Sequence, residues 1–384
     1  MTIRVLMVIG TRPEAVKMAP VVLALQEDGV FDVKVVLTGQ HREMLDQVMR
    51  QFGIVGDTDL DIMRPQQSLT GITIRALEGL EKAYTELKPD IVLAQGDTTT
   101  VFAAALAAFY QRIPFGHVEA GLRTGDKYSP YPEEMNRRLA GPLTDLHFAP
   151  TEASRDNLLK EAVPSGSIYI TGNTVIDALL FAADKGKLPE EFKWADEEGG
   201  PLVVVTAHRR ENWGEPLKQA CLGMLDMLER VPEARLVYAV HRNPVVRETA
   251  NEVLGNHPRV RLIEPPDYFD FVQLLKRARL ILTDSGGIQE EAPSLGVPVL
   301  VLRESTERPE AITAGVGKLV GTNRKLIADE SVRLLTDEAA HAAMAHAQNP
   351  YGDGESSVRI VAALKKYFGL TSEVPAEFSA KKAG

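Results

Sequence analysis

The stretch Leu280-Ile-Leu-Thr-Asp-Ser-Gly-Gly-Ile-Gln-Glu-Glu-Ala-Pro293 decides how the chain is read. A short apolar run, Leu280–Thr283, delivers Asp284 to two glycines, and a helical pattern follows at once. Strand, glycine turn and helix make half of a βαβ unit, from which parallel α/β sheets are built. Free N–H groups and the dipole at such a helix start favour a phosphate. Glu290 or Glu291, in the first turns, suits a ribose diol as hydrogen-bond acceptor. The string also reads without a ligand, as a tight left-handed turn followed by a carboxylate that complements the dipole.

The same rhythm extends in both directions. Leu202–Thr206, Arg235–Val240 and Val260–Leu262 precede the string as short β-branched runs, and Val297–Leu302 follows it. In the first half, strands are expected at Ile3–Ile9, Val33–Leu37, Asp90–Ala94 and Ile113–Val118. Helical patterns separate them at Pro13–Gln26, Arg42–Phe52, Leu69–Leu87 and up to Tyr110. Strands alternating with helices imply parallel sheets, so two doubly wound α/β domains are expected, with ligands beyond the carboxyl ends of the strands. Lys185–Pro201, rich in charge, Gly and Pro, reads as a linker or an elaborated loop.

Composition bounds the function. At 384 residues and about 150 per domain, two domains fit. The charge, 43 − 53 = −10, argues against a nucleic-acid partner, which calls for a basic stripe. A single cysteine, Cys221, excludes an internal disulfide and a Cys-rich zinc site. The run Val5–Ile9 is too short for a secretion leader, and Val101–Tyr110 falls well short of the roughly 20 residues that span a bilayer. A cytoplasmic protein without a membrane partner is expected. No GxGxxG, GxxxxGK[ST] or HExxH string occurs, which weakens nicotinamide, P-loop and zinc-hydrolase readings. No cofactor and no metal are expected.

Three groups of residues carry candidate chemistry. In Gly10-Thr-Arg-Pro-Glu-Ala-Val-Lys17, Arg12 sits in a strand-to-helix turn and Lys17 about one turn inside, two cations near a positive helix end that a diphosphate would reconcile. Arg308 is a further candidate cation. Asp97 and Glu119 end successive strands, and Glu133 and Glu134 open a helix after Pro132. Paired acids on a crevice floor can divide general acid and general base duty. Asp97 equally suits capping of the Thr98–Tyr110 helix, and Glu133 and Glu134 suit pairing with Arg137 and Arg138. His208 and His241 each follow a strand of the second half, where a histidine is either structural or a proton carrier.

Taken together, these strings resemble the non-hydrolysing UDP-N-acetylglucosamine 2-epimerases. The resemblance runs through Gly10–Pro20, Gln40–Gln47, Gly96–Thr100, His117–Asp126, Pro132–Arg137, Thr171–Asp177, His208–Asn212, Asp284–Ser294, Thr306–Ala311 and Asn349–Gly354. It implies two Rossmann-like domains of glycosyltransferase type B character, with the substrate in an interdomain cleft. The implied domains are residues 1–172, with a C-terminal helix at about 355–384 packing back on them, and 173–354. It further implies a homodimer and reversible C2 epimerisation of UDP-N-acetylglucosamine to UDP-N-acetylmannosamine through a 2-acetamidoglucal. By position, the nucleotide contacts fall on Arg12, Lys17, Phe271, Ser285, Gly286, Gly287, Glu291 and Arg308, and the catalytic groups on Asp97, Glu119, Glu133 and His208. Pro266 stands where many relatives carry a glutamine near the uracil, so that contact is not carried over. The resemblance also implies a second UDP-N-acetylglucosamine as activator, on Gln40, His41, Glu134, Arg209 and His241. Gln66 departs from the arginine of some relatives. A hydrolysing epimerase and an N-acetylglucosaminyltransferase are the alternatives sharing the UDP turn; a noncatalytic sensor would not need the three acids.

Overall fold

The computed structural model describes residues 2–39, 42–64, 67–197 and 199–380. Gln40, His41 and Gln66 lie outside the described residues. The chain divides into two compact units, Met1–Ala178 with Tyr351–Ser379, and Leu179–Pro350.

The N-terminal unit runs β1 (Ile3–Ile9), α1 (Arg12–Asp28), β2 (Phe31–Leu37), α2 (Arg42–Gln51), β3 (Thr58–Asp59), α3 (Leu69–Leu87), β4 (Ile91–Gln95), α4 (Thr99–Tyr110), β5 (Phe115–Val118), α5 (Glu133–Ala140), β6 (Leu146–Ala149), α6 (Glu152–Lys160), β7 (Ile168–Ile170) and the start of α7 (Thr174–Lys185). Its strands pair in parallel in the order β3-β2-β1-β4-β5-β6-β7. β4 is buried along its whole length, as a strand covered on both faces must be.

The C-terminal unit continues through α8 (Trp194–Glu197), β8 (Leu202–Thr206), α9 (Glu215–Arg230), β9 (Arg235–Ala239), α10 (Pro244–Leu254), β10 (Val260–Ile263), α11 (Tyr268–Arg277), β11 (Ala278–Thr283), α12 (Gly286–Glu291), β12 (Val299–Val301), α13 (Pro309–Thr313), β13 (Gly317–Leu319), α14 (Arg324–Thr336) and α15 (Glu338–Ala345). Its sheet order is β10-β9-β8-β11-β12-β13. Finally α16 (Ser356–Tyr367) packs on α1, where Lys365 meets Asp28 at 2.5 Å.

Both sheets are doubly wound, and in each the strand order reverses beside the first strand: between β1 and β4, and between β8 and β11. Crevices open at such reversals, beyond the strand carboxyl ends. Lys185–Pro201 is not a bare linker. It belongs to the second unit, with Phe192 and Ala195 buried in that unit's core.

Candidate functional site

In the N-terminal unit the reversal is flanked by the turns after β1 and β4. The turn after β1 is occupied by side chains of its own helix. Thr11 and Glu14 form a capping box: Glu14 Oε2 accepts from Gly10 N at 2.5 Å and Thr11 N at 3.1 Å. Its Oε1 accepts from the Thr98 hydroxyl at 2.6 Å, so one buried carboxylate clasps both turns. The string Thr-x-x-Glu at Thr11–Glu14 announces such a box, and is the signal that could have singled Glu14 out.

Lys17 faces a carboxylate of its own unit. Its Nζ sits 2.6 Å from Glu119 Oε2 and 2.8 Å from Oε1. Glu119 also accepts from Gln95 Nε2 and, at 3.5 Å, from Asn173 Nδ2. It holds a left-handed backbone, φ 64°, which costs a non-glycine residue of order 1 kcal/mol or more and is found where surrounding contacts over-determine it. Arg12, by contrast, makes no hydrogen bond or ion pair among the described residues.

β4 and β5 are neighbours, so the Asp97 and Glu119 turns lie side by side, with Gly96 N bonded to Val118 O at 3.0 Å. His117 Nε2 is 2.7 Å from the Gly96 carbonyl; burial depresses its pKa, which keeps the ring neutral and donating. Asp97 does not cap α4, whose N-cap is Thr98. Instead its Oδ2 receives Arg137 Nε at 2.9 Å and Nη2 at 2.6 Å, while its carbonyl receives Asn136 Nδ2 at 2.9 Å. These bonds pin α5 beside the Asp97 turn. Asp97 Oδ1 has no hydrogen-bond partner among the described residues, and neither has Glu133. The expected i,i+4 pairing gives way to Arg137–Glu134 at i,i+3 and 3.1 Å, with Arg138 at 3.9 Å from Glu161. Glu134 is fully buried and also accepts from Thr124 N and Gly125 N at 3.1 and 3.3 Å, ordering that loop.

In the C-terminal unit, Gly286 and Gly287 open α12, and neither has positive φ. A Cβ on Gly286 would meet nothing nearer than Arg308 at 3.9 Å, and one on Gly287 only Ser285 Oγ at 3.9 Å. The left-handed-turn explanation therefore fails: neither backbone conformation nor crowding inside the chain asks for glycine. A molecule approaching this backbone from outside would. Arg308 pairs with Glu290, and the Tyr268 hydroxyl stands 3.2 Å from Glu291 Oε1. Phe271 on α11 packs partly buried on the core around Leu274 and Ile288.

His208, after β8, stacks on His241 with ring centroids 5.3 Å apart and planes 16° from parallel. Its Nδ1 stands 3.4 Å from Asp284 Oδ1, and burial lowers its pKa against the raising influence of Asp284. Arg209 N also bonds to Asp284, at 2.9 Å, and Arg209 Nη1 lies 4.0 Å from Glu307. No described helix is long and apolar enough to cross a membrane.

The chain can now be set beside known proteins. A family model described as UDP-N-acetylglucosamine 2-epimerase matches residues 23–365. A Salmonella typhimurium UDP-N-acetylglucosamine 2-epimerase is 55% identical over 372 residues, 95% of this chain and 99% of that one. The crystal structure of UDP-GlcNAc 2-epimerase from Neisseria meningitidis bound to UDP-GlcNAc superposes with a TM-score of 0.83 at 50% identity, covering 95% of this chain and 100% of that one. At 13% identity and a TM-score of 0.65, over 95% of this chain and 99% of that one, a glycosyltransferase of kitacinnamycin shares the fold alone. With two reversal-point sheets of glycosyltransferase type B kind and this degree of identity along nearly the whole chain, the protein belongs to the UDP-N-acetylglucosamine 2-epimerase family.

Proposed function

We propose that the protein interconverts UDP-N-acetylglucosamine and UDP-N-acetylmannosamine by eliminating UDP and adding it back. The observation that carries this reading is the pair of acids at the ends of adjacent strands, Asp97 and Glu119, the second held in a strained backbone by a lysine and two amides.

The C2 proton of the sugar has no neighbouring carbonyl, so no carboxylate removes it unaided. If the anomeric C–O bond breaks first or concertedly, its electron pair leaves with UDP and the ring oxygen shares the positive charge. That charge acidifies the C2–H. A base then takes the proton, and the C–H electron pair becomes the C1–C2 double bond of a 2-acetamidoglucal. Re-addition of UDP at C1 with proton delivery from the opposite face inverts C2. No electron carrier is needed.

The residues suit these tasks unequally. The Gly286–Gly287 turn at the start of α12 suits the departing diphosphate. Glu119 has its oxygens engaged by Lys17, Gln95 and Asn173, which fits a group that orients the sugar and its developing charge. Asp97, with Oδ1 free, and Glu133, with no partner among the described residues, fit the proton-carrying acids, and His208 is the third candidate. A homodimer, a cytoplasmic setting and a second UDP-N-acetylglucosamine acting as activator near Arg209 and His241 belong to the same reading, supported by family membership.

Incubation with UDP-N-acetylglucosamine alone in deuterium oxide tests the proposal. UDP-N-acetylmannosamine should form, with deuterium at C2 of product and of recovered substrate. Free N-acetylmannosamine plus UDP would instead identify a hydrolase, and turnover without deuterium would overturn the elimination route.

A further inference from the structure

Asp284 is the residue of the glycine-turn string to which the functional reading gives no task, and it is among the most enclosed charged groups of the chain at 0% exposure. It stands directly after β11, its own N–H bonded to Thr206 O of β8 at 3.2 Å, so its carboxylate sits across the reversal point of the second sheet. Oδ2 accepts from His208 N at 2.9 Å, Arg209 N at 2.9 Å and Asn212 Nδ2 at 3.1 Å. Oδ1 accepts from His208 N at 3.1 Å and faces His208 Nδ1 at 3.4 Å. Oδ2 thus has three donors, and Oδ1 has one besides its approach to the imidazole.

The imidazole has little other choice. One face is stacked on His241, and Nε2 makes no hydrogen bond among the described residues. The side chain is 40% exposed, so Nε2 can reach solvent or a ligand. A neutral imidazole puts its single proton where an acceptor waits, and among the described residues the charged acceptor beside it is Asp284.

We propose that Asp284 is a positioning residue that holds His208 in the Nδ1–H tautomer, so that Nε2 presents its lone pair as the proton-exchanging atom of the epimerisation. This rests on the functional reading of His208. When Nε2 takes a proton from the substrate it becomes an imidazolium, and Asp284 compensates the charge at Nδ1 without itself being protonated; the proton leaves by the same nitrogen. Because Asp284 neighbours Ser285 and Gly286, the same carboxylate ties the proton carrier to the nucleotide turn. A shift of either turn is then felt by the other.

The groups facing the His208 ring are Asp284, His241 and Arg209. Of these only Asp284 favours the imidazolium, so its removal should lower the pKa of His208. The first measurement uses the unaltered protein: nitrogen-15 shifts of labelled histidine, with His208 assigned by its loss in His208→Gln. An Nδ1–H pattern is expected, and an Nε2–H pattern overturns the proposal whatever the variants do. The second compares pH–rate profiles. Asp284→Asn should cut kcat at least tenfold, leave KM within about threefold, and move the acid limb to lower pH. Asn212→Ala removes another partner of the same carboxylate and should leave that limb in place. If both variants move it equally, Asp284 is only a structural anchor and the proposal is wrong. Full activity in His208→Gln would instead overturn the functional reading of that histidine, with the tautomer result still standing by itself.

Discussion

Replacing Glu14 by glutamine isolates the carboxylate that clasps the two turns of the N-terminal unit. Burial pushes its pKa from 4.5 up to about 7; hydrogen bonds from Thr98, Gly10 and Thr11 work against that rise, and the nearby Asp97 charge adds to it. A folded pKa above the unfolded one means that the folded chain binds the proton more tightly. Stability from this group is therefore complete below about pH 4.5 and is lost as pH rises through about 7. That rise corresponds to about 3 kcal/mol, most of which falls between pH 5 and pH 9. Glutamine has the same shape, with its oxygen toward Gly10 N and Thr11 N and its amide donating to the Thr98 hydroxyl oxygen, and it has no charge to desolvate. The variant should match the parent near pH 5 and exceed it by about 2–3 kcal/mol at pH 9. Hydrogen exchange of β1 and β4 amides, compared at equal pH, reads this unit directly. Both tryptophans, Trp194 and Trp213, lie in the other unit, so fluorescence-detected unfolding serves as the internal control. A stability difference that stays constant from pH 5 to 9, or a variant weaker than the parent at pH 9, refutes the reasoning.

Three further outcomes are expected. Gly286→Ala meets no atom nearer than 3.9 Å, so unfolding should shift by under about 0.5 kcal/mol while UDP affinity, read by calorimetry, drops tenfold or more; retained affinity would remove the turn from the nucleotide site. Lys17→Met takes the ammonium away from the Glu119 carboxylate, 6% exposed, and should destabilise the unit by roughly 2–4 kcal/mol, with Glu119→Gln in the same chain restoring most of the loss in a double-mutant cycle. Asp97→Asn should slow conversion at least a hundredfold with UDP binding unchanged, as measured by product NMR and titration; wild-type turnover would dismiss it as a proton carrier.

The short strands show where sequence reading ends. Leu146–Ala149, Ile168–Ile170 and Gly317–Leu319 escape a reading by pattern because three or four residues, one run with a histidine and another with glycine and lysine, carry no period. They are strands because neighbouring ladders already in place offer them partners: β6 pairs β5, β7 pairs β6, and β13 pairs β12. The longer runs needed no such help, since a buried parallel strand must be apolar on both faces and so declares itself.

The candidate site divides in the same way. By itself the sequence determined the alternation of strands and helices, the placing of Asp97, Glu119, His208 and Asp284 at strand ends, and the family those strings resemble. These follow from local chemistry: hydrophobic period, glycine at a turn, an acid after a strand. Only the tertiary structure decided that Lys17 answers Glu119 across 102 residues, that Arg137 rather than a helix end holds Asp97, and that Asp284 reaches His208 from 76 residues away. A charge finds its partner through the packing of the sheet, and no spacing along the chain encodes which strand will lie beside which.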